Sequence, residues 1–435
     1  VVMNAQTDKL LQNPSTMALI RRQMLEVIGA ARALGVQNID ESFADRMIQN
    51  TLDMVPYSPS MKLDHDFHRP MEIYPCHRRG TQGRIRHAMP GDAGSTVKVH
   101  PGKKDMTLTL AFDSFKGSLR SDEVADAFAQ GLCSVLPGVN INKVYIADGG
   151  EGTAEALVKN LNGKTVRTQV SDPLGRTIPA SYGVIEHEKT AIIEMAAASG
   201  LTLLAPEERN PLKTHTYGTG QLIIDALEKG CRNFLVGIGG SATNDGGTGM
   251  LRALGFRFLD AYGNELCRGG EILEKIDRID ASCMIPTLNE CRFTLACDVS
   301  NPFYGPNGAA HVFAPQKGAD PEMVERLDNG LRNFARVVMQ FNGTELNRLP
   351  GSGAAGGMGG GCAALLGARL ERGIDMVLRA IRFHETIKGS SMVITGEGQI
   401  DRQTLMGKAP AGILAAAMQQ QIPVIAIGGR VVSCP

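Results

Sequence analysis

At 435 residues with 43% apolar side chains, the chain is long enough for two or three domains, each able to bury its own core. Its 45 basic and 45 acidic residues cancel to a formal net charge of +0, which argues against nucleic acid or an anionic membrane as partner. With 51 glycines, 5% aromatics and no tryptophan, it suits an α/β enzyme with many tight turns better than an aromatic platform for stacking bases.

Cys76, Cys133, Cys231, Cys267, Cys283, Cys291, Cys297, Cys362 and Cys434 are scattered, with no C-x-x-C pair. They predict reduced, mostly buried thiols in a cytoplasmic protein. The amino terminus has no basic-then-apolar signal pattern. The longest uncharged run, Ala409 to Gly429, is broken by Gln419-Gln-Gln421 and Pro423, so it reads as a helix followed by a strand rather than a membrane span.

Residues 1–73 read as a helical piece. Ala18-Leu19-Ile20, Met24-Leu25, Val27-Ile28 and Ala31 recur at helical spacing, Gly35 closes that helix, and Asp40 caps a second running through Phe43, Met47, Ile48 and Leu52. Ser58-Pro-Ser60-Met61-Lys-Leu-Asp64-His-Asp-Phe-His-Arg69-Pro-Met71-Glu72 then resembles the C-terminal helical domain of the ketopantoate reductases, whose Ser-Met, Asp and final Glu recur in this order. The nucleotide-binding domain and catalytic lysine of that family would fall upstream of Val1, so reductase activity is not expected of this piece. Residues 74–104 carry His77-Arg78-Arg79, Arg84, Arg86, His87 and Lys103-Lys104 with almost no apolar periodicity. They read as a basic linker or non-native junction rather than a nucleic-acid arm.

From Met106 the pattern changes. Leu108-Thr-Leu110-Ala-Phe112 predicts a buried strand that delivers Asp113-Ser114-Phe115-Lys116-Gly117-Ser118 into a helix starting near Ser121, with Asp122 and Glu123 in its first turn. Lys116 is thereby set at a strand end, where a cation can reach a phosphate or carboxylate. Val144-Tyr-Ile146 then runs into Ala147-Asp148-Gly149-Gly150-Glu151-Gly152-Thr153, a second glycine turn, ahead of a helix from Ala154 to Asn160. Capping is the simpler role for each of these acids alone; the repetition points to chemistry. Strands follow at Lys164 to Val170, Ala180 to Ile185 and Ala191 to Met195. Thr214-His215-Thr216-Tyr217-Gly218-Thr219-Gly220 opens a helix from Gln221 to Lys229, with His215 expected on the surface.

Phe234-Leu235-Val236 feeds the most glycine-dense junction, Gly237-Ile-Gly239-Gly240-Ser241-Ala242-Thr243-Asn244-Asp245-Gly246-Gly247-Thr248-Gly249, and a helical pattern follows from Met250. A strand-to-helix turn of this kind binds anions: backbone N–H groups approach closely and the helix amino end carries a partial positive charge. Asp245 is its one carboxylate, suited to a metal contact or to accepting a proton. The same run fits G-x-G-x-x-A, with Asp260 at a distance suited to a ribose-binding acid, so the loop alone does not choose between nucleotide cofactors.

Phe293 to Ala296 predicts a strand ending in Cys297-Asp298-Val299. Pro315-Gln-Lys317-Gly318 and a charged helix from Pro321 to about Met339 follow. Gly351 to Gly361 contains a literal G-x-G-x-x-G, but Asn347-Arg348-Leu349-Pro350 ahead of it is not a strand. A lid or close helix packing is expected there instead. The last unit, Met392-Val-Ile394-Thr395-Gly396-Glu397-Gly398-Gln399-Ile400-Asp401, reads as strand, glycine turn and carboxylates, before Thr404, Gly407-Lys408, a helix and a strand from Pro423 to Ile427.

Strand ends that repeatedly deliver an acid or a glycine can converge, because the carboxyl ends of strands line the ligand crevice of an open α/β sheet. Convergent carboxylates with phosphate loops and lysine describe phosphoryl transfer. Neither G-x-x-x-x-G-K-[ST] nor a kinase H-R-D set occurs. Phe112-Asp-Ser-Phe-Lys-Gly-Ser118, Ala147-Asp-Gly-Gly-Glu-Gly-Thr153, Asp172-Pro-Leu-Gly175, Glu194-Met-Ala-Ala-Ala-Ser-Gly200, Thr216-Tyr-Gly-Thr-Gly220, Gly237 to Gly247, Ala296-Cys-Asp-Val299, Pro315-Gln-Lys-Gly318 and Ile394-Thr-Gly-Glu-Gly398 resemble the bacterial glycerate kinases of the D-glycerate 2-kinase type, from about Thr107 to Gly429.

That resemblance implies ATP- and Mg²⁺-dependent phosphorylation of D-glycerate to 2-phosphoglycerate. It also implies an α/β fold of two domains over residues 105–435, one flavodoxin-like and discontinuous, the other inserted, with the active site in the cleft. Carried onto this chain, Asp245, Lys116 and Asp298 are the expected catalytic residues, with Asp245 and Asp298 also on the metal. Gly239, Gly240, Ser241, Thr243, Asn244 and Gly246 are expected on the nucleotide, and Asp113, Ser114, Asp148 and Glu151 on the substrate. Glu397 and Asp401 stand behind these. The kinases continue past Arg430 with roughly one more strand and helix, which predicts weak stability or aggregation here. The rival readings are an NAD(P)-dependent reductase, motivated by Gly237 to Ala242 with Asp260, and an inactive fusion or truncation product that binds nucleotide without turnover. The expected effect of Asp245→Asn is loss of phosphoryl transfer with the fold intact.

Overall fold

The computed structural model describes residues 106–115, 118–136, 138–400, 404 and 408–431, together with 21, 42 and 45. The helical piece expected over 1–73, apart from those three residues, and the linker expected over 74–104 lie outside the described residues, as do Lys116, Asp401 and Gly407. Contacts divide the chain into two compact units, the larger made of residues 108–127 and 142–429. In the smaller unit, Arg21 pairs with Asp45 at 2.7 Å on an exposed surface.

The strands are β1 (Thr107–Phe112), β2 (Asn140–Tyr145), β3 (Lys164–Ser171), β4 (Thr177–Ile185), β5 (Thr190–Glu194), β6 (Asn233–Gly237), β7 (Arg257–Leu259), β8 (Arg278–Asp280), β9 (Arg292–Ala296), β10 (Arg369–Glu371), β11 (Met392–Ile400) and β12 (Val424–Val431). The α-helices are α1 (Ser121–Val135), α2 (Thr153–Asn160), α3 (Ala196–Ser199), α4 (Tyr217–Glu228), α5 (Thr248–Ala253), α6 (Ala309–Phe313), α7 (Pro321–Asn342), α8 (Met358–Leu366), α9 (Gly373–Ala380), α10 (Phe383–Thr386) and α11 (Ala409–Gln419). This is a mixed α/β fold, as expected.

One sheet has four strands in the order β12-β11-β1-β2, with β1 parallel to β11 so that Phe112 stands beside Gly396. A second has six, in the order β10-β9-β6-β5-β4-β3; β10, β9, β6 and β5 run parallel and β4 and β3 antiparallel. The parallel strands are short apolar runs such as Thr190-Ala-Ile-Ile-Glu194, buried on both faces as central parallel strands are. Strand β11 runs on through Gly396-Glu397-Gly398, so the turn expected there is extended chain instead.

Helix α7 shows how local signals and packing agree. Asp320 caps it by accepting from the Met323 N–H at 2.8 Å, Pro321 takes its first position, and Gly343 ends it at φ 78°. Val324, Leu327, Leu331, Phe334 and Val338 recur at three- and four-residue spacing and are buried in the larger core, where Phe334 meets Phe258 and Phe303. Loss of the Asp320 cap would cost about 1 kcal/mol. Gly351 to Gly357 forms buried turns, not a lid: a Cβ on Gly356 would stand 2.1 Å from the Thr243 carbonyl oxygen.

Candidate active site

In-register pairing aligns Glu194, Gly237 and Ala296 at the carboxyl ends of β5, β6 and β9. The Ala147–Thr153 turn leaves β2 and lies directly on them. A Cβ on Gly149 would stand 2.6 Å from the Ala296 Cβ, and one on Gly237 would stand 2.6 Å from the Gly149 carbonyl oxygen. Only backbone without side chains packs this closely, and Gly149 also holds φ +88°.

This contact brings Asp148 near Asp298. Asp298 is exposed on the rim, yet the turns around it strip enough water to raise its pKa above the usual 3.8, and the Asp148 charge adds to that rise. Its Oδ1 accepts from the Gly373 N–H at 2.8 Å, which opens α9, while Oδ2 has no described partner. Half-buried Asp148 accepts through Oδ1 from the Gly150 N–H at 3.2 Å, and Glu151 is exposed beside it. At the end of β1, buried Asp113 accepts from the Ser114 N–H at 2.6 Å. Glu397 is buried and accepts from the Thr404 hydroxyl. The structure therefore groups Asp148 and Asp298 against the Gly237 loop.

Sequence reasoning did not nominate Glu194. It ends β5, accepts from the Ala154 N–H at the start of α2 at 2.8 Å, and has its pKa raised by burial. The signal was available: an acid closing a β-branched run, in the same pattern as Asp113 and Asp148.

The Gly237 loop has two halves. Gly239 and Gly240 are exposed and Ser241 is 8% exposed, whereas Thr243, Asn244 and Asp245 are fully buried. The Asp245 carboxylate is saturated from within. Its Oδ2 accepts from the Thr216 N–H and hydroxyl at 2.8 Å each and the Gly249 N–H at 3.1 Å, and its Oδ1 from the Gly247 N–H at 3.1 Å. A carboxylate with four internal donors and no solvent contact ties the loop to α4 and α5. This bonding favours a structural role for Asp245 over the metal contact and proton acceptor expected of it. Thr243, Asn244 and Gly246, expected on the nucleotide, are buried, and Thr243 Oγ1 and both side-chain polar atoms of Asn244 have no hydrogen-bond partner.

Lys317 also escaped nomination, although Pro315-Gln-Lys-Gly318 was legible as a motif. It is 1% exposed, and its Nζ donates to Ser241 Oγ at 2.8 Å and to the Thr243 carbonyl at 2.6 Å. Burial lowers its pKa to about 7, opposed by the attraction of Asp245. His215, expected on the surface, is 1% exposed. Its Nδ1 accepts from the Tyr217 N–H at 3.3 Å, its Nε2 has no partner, and burial lowers its pKa.

The dinucleotide alternative loses its acid. Asp260 accepts from the Tyr262 and Asn264 N–H groups in the turn after β7, in a two-stranded sheet apart from β6. A ribose-binding acid belongs at the end of the neighbouring strand of the same sheet.

Among the described residues no group of three or more His, Cys, Asp or Glu side chains could hold a metal by itself. Mg²⁺ needs less from the protein, commonly one or two carboxylates plus substrate phosphates. Two carboxylates close enough to repel at the rim fit that arrangement. The saturated Asp245 does not. Of the seven cysteines among the described residues, all are free, with Cys231, Cys297 and Cys362 buried and Cys133, Cys267 and Cys283 exposed, fewer buried than expected. No described helix is long and apolar enough to cross a membrane.

Residues 108–433 match the model of the glycerate kinase family, and residues 1–75 match the ketopantoate reductase PanE/ApbA C-terminal model. A glycerate kinase of Halalkalibacterium halodurans is 47% identical over 323 residues, spanning 74% of this chain and 85% of that protein. A glycerate 2-kinase of Escherichia coli K12 is 47% identical over 324 residues, again 74% and 85%. The crystal structure of the protein assigned as glycerate kinase 2 in Salmonella typhimurium LT2 superposes with a TM-score of 0.72 at 45% identity, covering 75% of this chain and 90% of that one. By sequence, by fold and by the strand-end acids grouped around its glycine loop, the chain belongs to the glycerate kinase family.

Proposed function

We propose that this chain phosphorylates D-glycerate on its 2-hydroxyl with ATP and Mg²⁺, as a cytoplasmic enzyme without nucleic acid or membrane as partner. The observation that carries the reading is the approach of the Asp148 turn to Asp298 and to the exposed half of the Gly237 loop. Backbone N–H groups of Gly239 and Gly240 and the hydroxyl of Ser241 face the nucleotide phosphates, with Lys116 of the Phe112–Ser118 motif as the expected cation. Asp298 takes the proton of the glycerate hydroxyl on Oδ2, since the Gly373 N–H fixes Oδ1 and desolvation raises the carboxylate's basicity above that of an ordinary aspartate. Asp148 would hold Mg²⁺, which supplies neutralisation of phosphate charge. Asp113 and Ser114, at the neighbouring strand end, orient the glycerate carboxylate and hydroxyls, with Glu151 at the rim.

The two-domain division over 105–435 is part of this proposal, with the four-stranded sheet as the flavodoxin-like part and the six-stranded sheet as the inserted part. An assay of ATP-dependent product formation coupled to enolase tests the reading, because enolase takes 2-phosphoglycerate directly. Signal without an added mutase supports it; ADP release with no enolase signal points to the other hydroxyl. No ADP release with D-glycerate defeats the proposal.

A further inference from the structure

We propose that Lys317 is a positioning residue for the nucleotide: from beneath the loop it fixes the Ser241 hydroxyl so that its proton points out at a phosphate oxygen. The inference rests on the reading that Gly239 to Ser241 receive the phosphates.

Below its lowered pKa of about 7 Lys317 is an ammonium, which has only donors, so the 2.8 Å contact then occupies a lone pair of Ser241 Oγ and turns the hydroxyl hydrogen away from Lys317. The direction away from Lys317 is the loop's exposed side. Ser241 is 8% exposed, next to exposed Gly239 and Gly240, while Lys317 and Thr243 lie at 1% and 0%. The second bond, to the Thr243 carbonyl at 2.6 Å, grips the chain on the other side of Ala242. One cation thus spans the segment where the loop passes from surface to interior.

Lys317 reaches this place through a tight turn after α6. Its own N–H donates to the Ala314 carbonyl at 2.9 Å, and Gly318 leaves at φ +92°, where a Cβ would stand 2.3 Å from the Arg209 carbonyl oxygen. Asp245, under the same loop, is the counter-charge. A methionine would fill the same space without desolvating a charge. What the ammonium alone adds is a pair of directed, charge-assisted donors, both used on the phosphate loop.

The test is a double-mutant cycle on the full chain with Lys317→Met and Ser241→Ala, run below pH 7 where Lys317 is charged, reading ADP affinity by calorimetry and KM for ATP and for D-glycerate. Lys317→Met is expected to weaken ADP and raise KM for ATP by about ten-fold, leaving KM for D-glycerate within about two-fold. In the Ser241→Ala background the same change should move ADP affinity by less than about two-fold. Additive losses in the cycle, or equal losses on ATP and glycerate, overturn the proposal. If Lys317→Met does not fold, Ser241→Ala decides: unchanged ADP affinity overturns it, and a ten-fold loss restored by Ser241→Thr supports it. ADP binding is read without turnover, so a chain that binds ADP through this pair yet leaves D-glycerate untouched would defeat the functional reading alone.

Discussion

Asp245→Asn separates a structural clamp from a catalytic acid. The asparagine carbonyl can keep the place of Oδ2 and its three donors, but its amide group then faces the Gly247 N–H, 3.1 Å away in the native loop. Two buried donors opposed in this way leave at least one unsatisfied, at a cost of about 1 to 3 kcal/mol. Each of the three remaining hydrogen bonds loses its charge assistance, about 1 kcal/mol apiece. Lys317 also loses the counter-charge that opposes its deprotonation. The expected destabilisation is about 4 to 6 kcal/mol, comparable to the whole stability of many domains. Urea denaturation followed by circular dichroism reads it as a midpoint far below wild type, with activity lost in proportion to folded protein. A variant that keeps the wild-type midpoint and lacks turnover refutes the clamp and restores the reading that sequence alone favours.

Asp298→Asn should lower kcat by about 100- to 10,000-fold while the urea midpoint stays near wild type, because only one main-chain donor contacts the carboxylate; wild-type kcat would remove Asp298 from the chemistry. Asp148→Asn should raise the Mg²⁺ concentration needed for half-maximal rate several-fold, about as expected for loss of one carboxylate ligand, and an unchanged Mg²⁺ titration counts against it. Gly373→Ala would place a Cβ 1.8 Å from the Asp148 carbonyl oxygen, so the turn must move away from Asp298; a loss of about 100-fold in kcat is expected. Lys317, with its pKa lowered from 10.5 to about 7, is neutral in the native protein while still protonated in the unfolded chain across that window. The unfolded state then binds more protons, so stability rises as pH climbs from about 7 towards 10.5 and the full burial cost is felt below 7. Melting wild type and Lys317→Met side by side should show wild type gaining on the variant as pH rises; parallel curves would contradict the depressed pKa.

The strands were legible wherever a run was both apolar and short. Leu108 to Phe112 and Phe293 to Ala296 are observed within one residue of their predicted limits, because each is a short run of mostly buried side chains. Strand β11 runs further than the sequence suggests, since Gly396 and Gly398 signal a turn locally while Gly396 pairs with Phe112 of β1 and the strand continues to Ile400. At the site, sequence could say that acids end strands but not which ones meet. Asp148 and Asp298 stand 150 positions apart, and the contact that unites them depends on Gly149, Gly237 and Gly373 lacking side chains. Burial was the least visible property. Asp245 looked like the most reactive group in the loop because a lone carboxylate among glycines reads as exposed, and nothing in its neighbours announces that Thr216 and Gly249 will enclose it.

The two kinds of acid differ in how they are held, and that difference assigns their work. Asp113, Asp148, Glu194 and Asp298 each accept from a main-chain N–H of the turn or helix start that follows their strand or packs against it. Main-chain donors orient these carboxylates and partly offset the desolvation that raises the pKa values of Glu194 and Asp298. Asp245 has four internal donors, three on Oδ2 and one on Oδ1, and no exposure to solvent. Catalysis requires a group that is held but not saturated, and the proposed base, Asp298, with one described donor on Oδ1, meets that requirement. On the proposed reading the glycine loop offers the backbone amides of exposed Gly239 and Gly240 and the Ser241 hydroxyl, and beneath them Asp245 and Lys317 keep those donors aimed.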